Sequence, residues 1–149
     1  MTHLDAALDA VVAGLGGERR DGQRQMAHAV SHAMETGEHL LVQAGTGTGK
    51  SVAYLVPAIL FAVAQKKKAV VSTHTINLQE QLTEKDLPML AGVLGALPSP
   101  VKFNYTMLKG RGNYLCTRRL HKAMQTADSL FTSPEVAELQ LIYQWSKET

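Results

Sequence analysis

The chain has 149 residues, 45% hydrophobic and 19% charged, with a formal net charge of +2. That is enough polypeptide for one domain with a real core, and the composition is that of ordinary soluble globular proteins. A charge of +2 is too small to argue for nucleic acid by itself, so that case has to come from motifs. The one cysteine, Cys116, excludes an internal disulfide framework and suits a reducing, cytoplasmic setting. Asp5 and Asp9 interrupt the N-terminal apolar pattern, which is therefore not a secretory signal. The longest apolar run, Val52 to Ala64 with Pro57 inside it, is too short to span a bilayer and reads as a core helix.

Leu4, Leu8, Val11, Val12 and Leu15 recur at helical spacing, and Gly14, Gly16 and Gly17 supply a stop. A second helix is expected after the polar stretch Glu18–Asp21, with Asp21 as its N-cap. Its apolar side would carry Met26, Ala29, Val30 and Ala33, and it would run to about Glu35 before Gly37 ends it. His39–Gln43 has the composition of a buried strand, and Ser51 to Ala64 that of a buried helix.

Between them lies Ala44-Gly45-Thr46-Gly47-Thr48-Gly49-Lys50-Ser51. Three glycines let a backbone approach a ligand closely and turn several N–H groups into one concavity. The following helix adds its positive end, so triphosphate oxygens have a seat. Lys50 would reach the β- and γ-phosphates and the Ser51 hydroxyl would ligate Mg²⁺, making these two the catalytic candidates. Ala44 stands where the strict pattern has glycine, at a strand end that needs no positive φ.

Past the polar turn Gln65–Lys68, Ala69–Thr73 is a second strand-like run. Strand, helix, strand makes a βαβ unit, hence an α/β fold with a parallel sheet and helices on its faces. Ile76 to about Lys85 and Met89 to Leu94 read as two helices, and Val101–Tyr105 as a third strand after Pro98 and Pro100. From Lys109 the texture changes: a basic, glycine-rich loop to Asn113, then a helical stretch from Cys116 to Ala127. Ser133, Pro134 and Glu135 form an N-cap, first-position and first-turn set for a last helix through Trp145, whose Leu139, Ile142 and Tyr143 are expected in a core.

Three further stretches narrow the chemistry. Arg20-x-x-Gln23-x-x-Met26 precedes the loop, and a glutamine amide can both accept from adenine N6 and donate to N7. It resembles the adenine-reading Q motif of superfamily 2 helicases. Thr73-His74-Thr75-x-x-Leu78-x-x-Gln81 offers hydroxyls and N–H groups at a helix start, suited equally to a DNA phosphate and to ordinary capping by Thr75. Its spacing resembles helicase motif Ia. Lys109-Gly110-Arg111-Gly112-Asn113-Tyr114-Leu115-Cys116 resembles the segment before the first cluster cysteine of the DinG/XPD-like iron–sulfur helicases, nearest the bacterial DinG-type branch.

The resemblance implies a RecA-like P-loop NTPase fold, here an incomplete first motor domain over residues 1–108 with the start of an iron–sulfur domain over 109–149. It implies ATP and Mg²⁺ bound by Arg20 and Gln23 at adenine and by Gly45, Thr46, Gly47, Thr48, Gly49, Lys50 and Ser51 at the phosphates. It further implies single-stranded or forked DNA on Thr73 and Thr75, 5′-to-3′ unwinding, and Cys116 as one ligand of a [4Fe–4S] cluster in a complete protein. One thiolate cannot hold such a cluster, and no Asp-Glu pair of the D-E-A-H type or arginine finger is present. The sequence is accordingly expected to be an amino-terminal piece of a helicase that hydrolyses ATP negligibly alone. Two other readings stand beside it. A non-catalytic nucleotide- or DNA-binding piece fits the missing segments. A small P-loop kinase would need a Mg²⁺-binding carboxylate after a strand, which neither Asp86 nor Asp128 supplies. His28 and His32 sit at i, i+4, but a solvated helix face is favoured over a metal pair.

Overall fold

A computed structural model describes residues 3–45 and 47–148, apart from the side chains of Asp128 and Leu130. These residues form two compact units, divided between Met107 and Leu108.

The first unit is built on helix α3 (Lys50–Gln65), which buries Val52, Ala53, Leu55, Val56, Pro57, Ala58 and Ile59. Helix α1 (His3–Gly14) lays Leu4, Ala7, Leu8 and Val11 against α3 and against α5 (Leu87–Gly95). Helix α2 (Asp21–Thr36) runs along α3. Leu8, Val11, Val56, Leu90 and Leu94 are fully buried, each stabilising the unit by roughly 1.5–3 kcal/mol relative to exposure.

Several expectations shift by a residue or a face. Helix α2 starts at Asp21 itself, so its N-cap is Arg20, whose carbonyl accepts from the Arg24 N–H; no side chain caps it. Its inward face carries Gln23 and Ala27, while Met26, Ala29, Val30 and Ala33 are only half-buried. Gly37 ends it as expected, in the left-handed region (φ +75°) with its N–H on the Ala33 carbonyl. Leu15 lies past the end of α1 and is exposed.

Helix α4 (Ile76–Gln81) and α5 are not separate. A π turn, Leu82–Asp86, joins them, the Leu87 N–H reaching back to the Leu82 carbonyl. Pro88 has no N–H to give Glu84 and its ring crowds that carbonyl, so the register slips by one instead of breaking.

The parallel sheet expected from 39–43, 69–73 and 101–105 is not formed: among the described residues none takes part in strand pairing. Leu41 is 98% exposed and Val70 90%. Apolar composition signals a demand for burial but does not supply the lateral neighbours that a parallel ladder requires. In this unit α1, α2 and the π turn lie against α3, and α5 packs on α1. The run 101–105 alternates without a ladder: Val101 is buried with its N–H on the Leu94 carbonyl, and Phe103 packs on the core.

In the second unit α6 (Thr117–Gln125) and α7 (Ala127–Leu130) pack on α8 (Ser133–Glu148). The His121 ring meets the Tyr143 ring edge-on at 5.5 Å, and the Lys147 ammonium lies over the Tyr143 ring, 4.3 Å from its centre. The cap of α8 is Thr132, not Ser133, because the Thr132 carbonyl takes the first helical N–H, from Val136. The Thr132 N–H and hydroxyl both donate to Glu135 Oε2 (2.7 and 2.8 Å), which holds that carboxyl below its ordinary range. Helix α8 buries none of its residues: Leu139 and Tyr143 are half-covered and Ile142 is exposed, contrary to the core expected there. Among the described residues no helix is long and apolar enough to cross a membrane.

Candidate nucleotide-binding site

The loop that leads into α3 is held by its own polar groups. Gly47 (φ +78°) and Gly49 (φ +75°) take the left-handed backbone that the turn demands. The Thr48 hydroxyl donates to the Gly45 carbonyl at 3.0 Å. The Lys50 ammonium, at the first position of α3, donates to the Ala44 and Gly45 carbonyls, 2.9 Å each. Thr46, one of the predicted phosphate contacts, lies outside the described residues.

Helix α2 grips this loop from the side. The Arg20 guanidinium donates to the Gly47 carbonyl. Gln23, buried at 8% exposure, donates through Nε2 to the Gly49 carbonyl at 3.0 Å. Both residues predicted at the base thus meet the loop backbone. A hollow of ≈ 380 Å³ opens beside them, lined by Gln23, Met26, Ala29, Leu41, Val42 and Thr48 among others.

Ser51 is the second residue of α3, where backbone N–H groups have no partner within the helix. Its hydroxyl faces Tyr54: burial pushes that phenol above its ordinary value, Ser51 pulls it back, and Asp86 adds to the rise. Lys50 and Ser51 thus stand in the first turn of α3, directly after the loop glycines, where an ammonium and the positive end of a helix have the sign that phosphate oxygens require.

Sequence reasoning missed what holds α2 in place. Arg24 donates to Asp9 Oδ1 and Asp5 Oδ1, 2.5 Å each, and His28 Nε2 lies 3.0 Å from Asp5 Oδ1. The signal was available: Asp5 and Asp9 on α1, and Arg24 and His28 on α2, are two complementary pairs at i, i+4 spacing. His28 thus pairs with a carboxylate of α1, while His32 sits 4.0 Å from Glu38.

The two threonines predicted at DNA are engaged locally. Thr75 caps α4, its hydroxyl accepting from the Leu78 N–H at 3.3 Å, and the Thr73 hydroxyl donates to the Thr75 carbonyl. Cys116 is exposed at the N-cap of α6. The Arg119 N–H, chiefly, with the Arg118 N–H and both arginine charges, holds its thiol below the ordinary value, although no full capping bond closes onto the sulfur. A [4Fe–4S] cluster takes four thiolates and this chain has one, so its residues do not hold a cluster by themselves. A lowered thiol pKa means more thiolate at neutral pH, so Cys116 is expected to be alkylated by iodoacetamide faster than an unperturbed thiol. The rate–pH curve should have its midpoint below the usual cysteine value; a midpoint at or above it would contradict the helix-start assignment.

Residues 20–148 match the DEAD/DEAH box helicase family, to which the chain belongs, and its fold class is accordingly that of the P-loop NTPases. Within that family it is 57% identical over 122 residues to the ATP-dependent helicase DinG of Mycobacterium tuberculosis, covering 81% of this chain and 18% of that protein. It is 41% identical over 134 residues to the ATP-dependent DNA helicase YoaA of Escherichia coli, covering 90% of this chain and 20% of that protein. It is 37% identical over 134 residues to the 3'-5' exonuclease DinG of Bacillus subtilis, covering 90% of this chain and 14% of that protein. The chain thus spans a fifth or less of the length of these relatives.

Proposed function

We propose that this chain is the nucleotide-binding portion of an ATP-dependent DNA helicase of the DinG type, acting on single-stranded or forked DNA in the cytoplasm with 5′-to-3′ polarity. The observation that carries the reading is the convergence of Arg20, Gln23 and Lys50 on the backbone of one glycine-rich loop. Gly45 to Ser51 hold the triphosphate and Mg²⁺, with Lys50 at the β- and γ-phosphates and Ser51 on the cation; Arg20 and Gln23 serve the adenine. The bound ATP supplies the phosphoryl bond whose hydrolysis would drive unwinding.

In the whole enzyme, the runs 39–43, 69–73 and 101–105 join a RecA-like parallel sheet once further strands lie beside them. That would cover the bare Leu41 and Val70. Residues 1–108 then form part of the ATP-binding domain and 109–149 the start of an iron–sulfur domain, with Cys116 as one cluster ligand. Thr73 and Thr75, at the head of α4, lie along the DNA backbone.

The missing Asp-Glu box favours binding without turnover in this polypeptide, since positioning groups on the far side of the γ-phosphate are worth about 10³-fold or more in rate. A fluorescent ATP analogue is expected to bind saturably and in a Mg²⁺-dependent way, with no steady phosphate release. Absence of saturable binding would remove the nucleotide reading; sustained release would instead show that the catalytic groups are all here.

A further inference from the structure

We infer that Gln23 is a positioning strut for the phosphate loop, setting it for a triphosphate whatever base is attached, an inference that rests on the nucleotide site proposed above and goes beyond adenine reading. Gln23 is the one polar residue buried in the first unit's core among the described residues. A buried amide has to be satisfied, and this one is satisfied by the loop: Nε2 donates to the Gly49 carbonyl at 3.0 Å. That carbonyl also accepts the Ala53 N–H at 3.1 Å, the first turn of α3. One oxygen thus receives both the strut and the helix, at the residue where loop becomes helix and directly before Lys50.

The fit is close. A Cβ added to Gly49 would come within 2.1 Å of Nε2, so the amide lies flush on the glycine. The strut is also anchored at its base. Arg24, the next residue, is paired with two carboxylates of α1, and Arg20, one turn earlier, holds Gly47. Loop residues 47 and 49 are therefore pinned from one rigid helix end. An amide has two N–H groups and a carbonyl; with one N–H on the loop, the second N–H and Oε1 remain for a two-point contact to adenine. Base reading and loop setting are compatible in one side chain, and they separate experimentally.

The test uses Gln23→Met, of similar length and apolar but without a donor. In the unliganded protein, hydrogen exchange at the amides of residues 45–50 should quicken while α1 and α5 exchange as in the wild type. With Mg²⁺ present, affinity for inorganic tripolyphosphate should fall about three- to tenfold, the worth of one hydrogen bond, and affinity for ATP by at least that factor, since the variant gives up the adenine contact as well. Gln23→Leu, uncharged, close in bulk and without a donor, should reproduce both results and serves if the methionine variant folds poorly. Unchanged loop exchange would overturn the strut. So would loss of ATP binding with tripolyphosphate unaffected, or quickened exchange throughout the unit. If the wild type bound neither ligand, the nucleotide reading would fall, while the exchange measurement would still decide the strut.

Discussion

Lys50→Ala is expected to weaken Mg²⁺-dependent ATP binding about thirtyfold or more while leaving the fold intact. The ammonium rests on the Ala44 and Gly45 carbonyls at 2.9 Å each, so a phosphate has to displace those contacts. Two unit charges 4 Å apart are worth about 4 kcal/mol at an effective dielectric of 20. Each carbonyl contact at this open site is worth about 1 kcal/mol. The difference, about 2 kcal/mol for a single phosphate charge, is thirtyfold in affinity, and a triphosphate carries more charge than that. Alanine leaves those carbonyls to water, so the unfolding midpoint should barely move. Titration of the same fluorescent analogue reads the loss; a change under threefold would mean the ammonium does not meet the triphosphate.

Gly49→Ala should act on both the loop and the fold. Its φ of +75° costs a residue with a Cβ about 1–2 kcal/mol. The new methyl would also meet Gln23 Nε2 at 2.1 Å. The amide ends a flexible side chain and can withdraw, but only by breaking its bond to the Gly49 carbonyl, worth about 1 kcal/mol more. Denaturant unfolding should therefore show a loss of about 2–3 kcal/mol, and nucleotide affinity should fall at least tenfold. Combined with Gln23→Met, the two losses should not add, because both break one contact. Full additivity would place Gln23 and Gly49 in separate roles.

Local periodicity carried much of the architecture. Leu4, Leu8 and Val11 do line the buried stripe of α1, and Gly37 does end α2. The apolar run after the loop is the central helix. Errors arose where two signals competed over one residue. Ser133 and Thr132 are both capping types, and the choice lay in whether the Glu135 carboxylate closes back on the earlier one. Asp21 has the chemistry of a cap but falls inside the helix, where its charge still suits the first turn. The two helices expected at 76–94 fuse, because Pro88 stands at a position a one-residue slip can rescue. The strands could not be settled from composition alone, since pairing depends on neighbours rather than on the run itself. In the candidate site the turn into α3 was legible from its glycines and from the apolar run that follows. That Arg20 and Gln23 meet the loop itself, and that α1 holds α2 by ion pairs, arises from packing between elements distant in sequence.

The bare runs around Leu41 and Val70 have a consequence for life in a cell. Uncharged apolar runs left open to solvent are what holdase chaperones clasp and what neighbouring chains zip onto. A ribosome emitting this polypeptide would expose both before anything could shield them, so yield in vivo should hinge on escort during synthesis as much as on the firmness of the helical core.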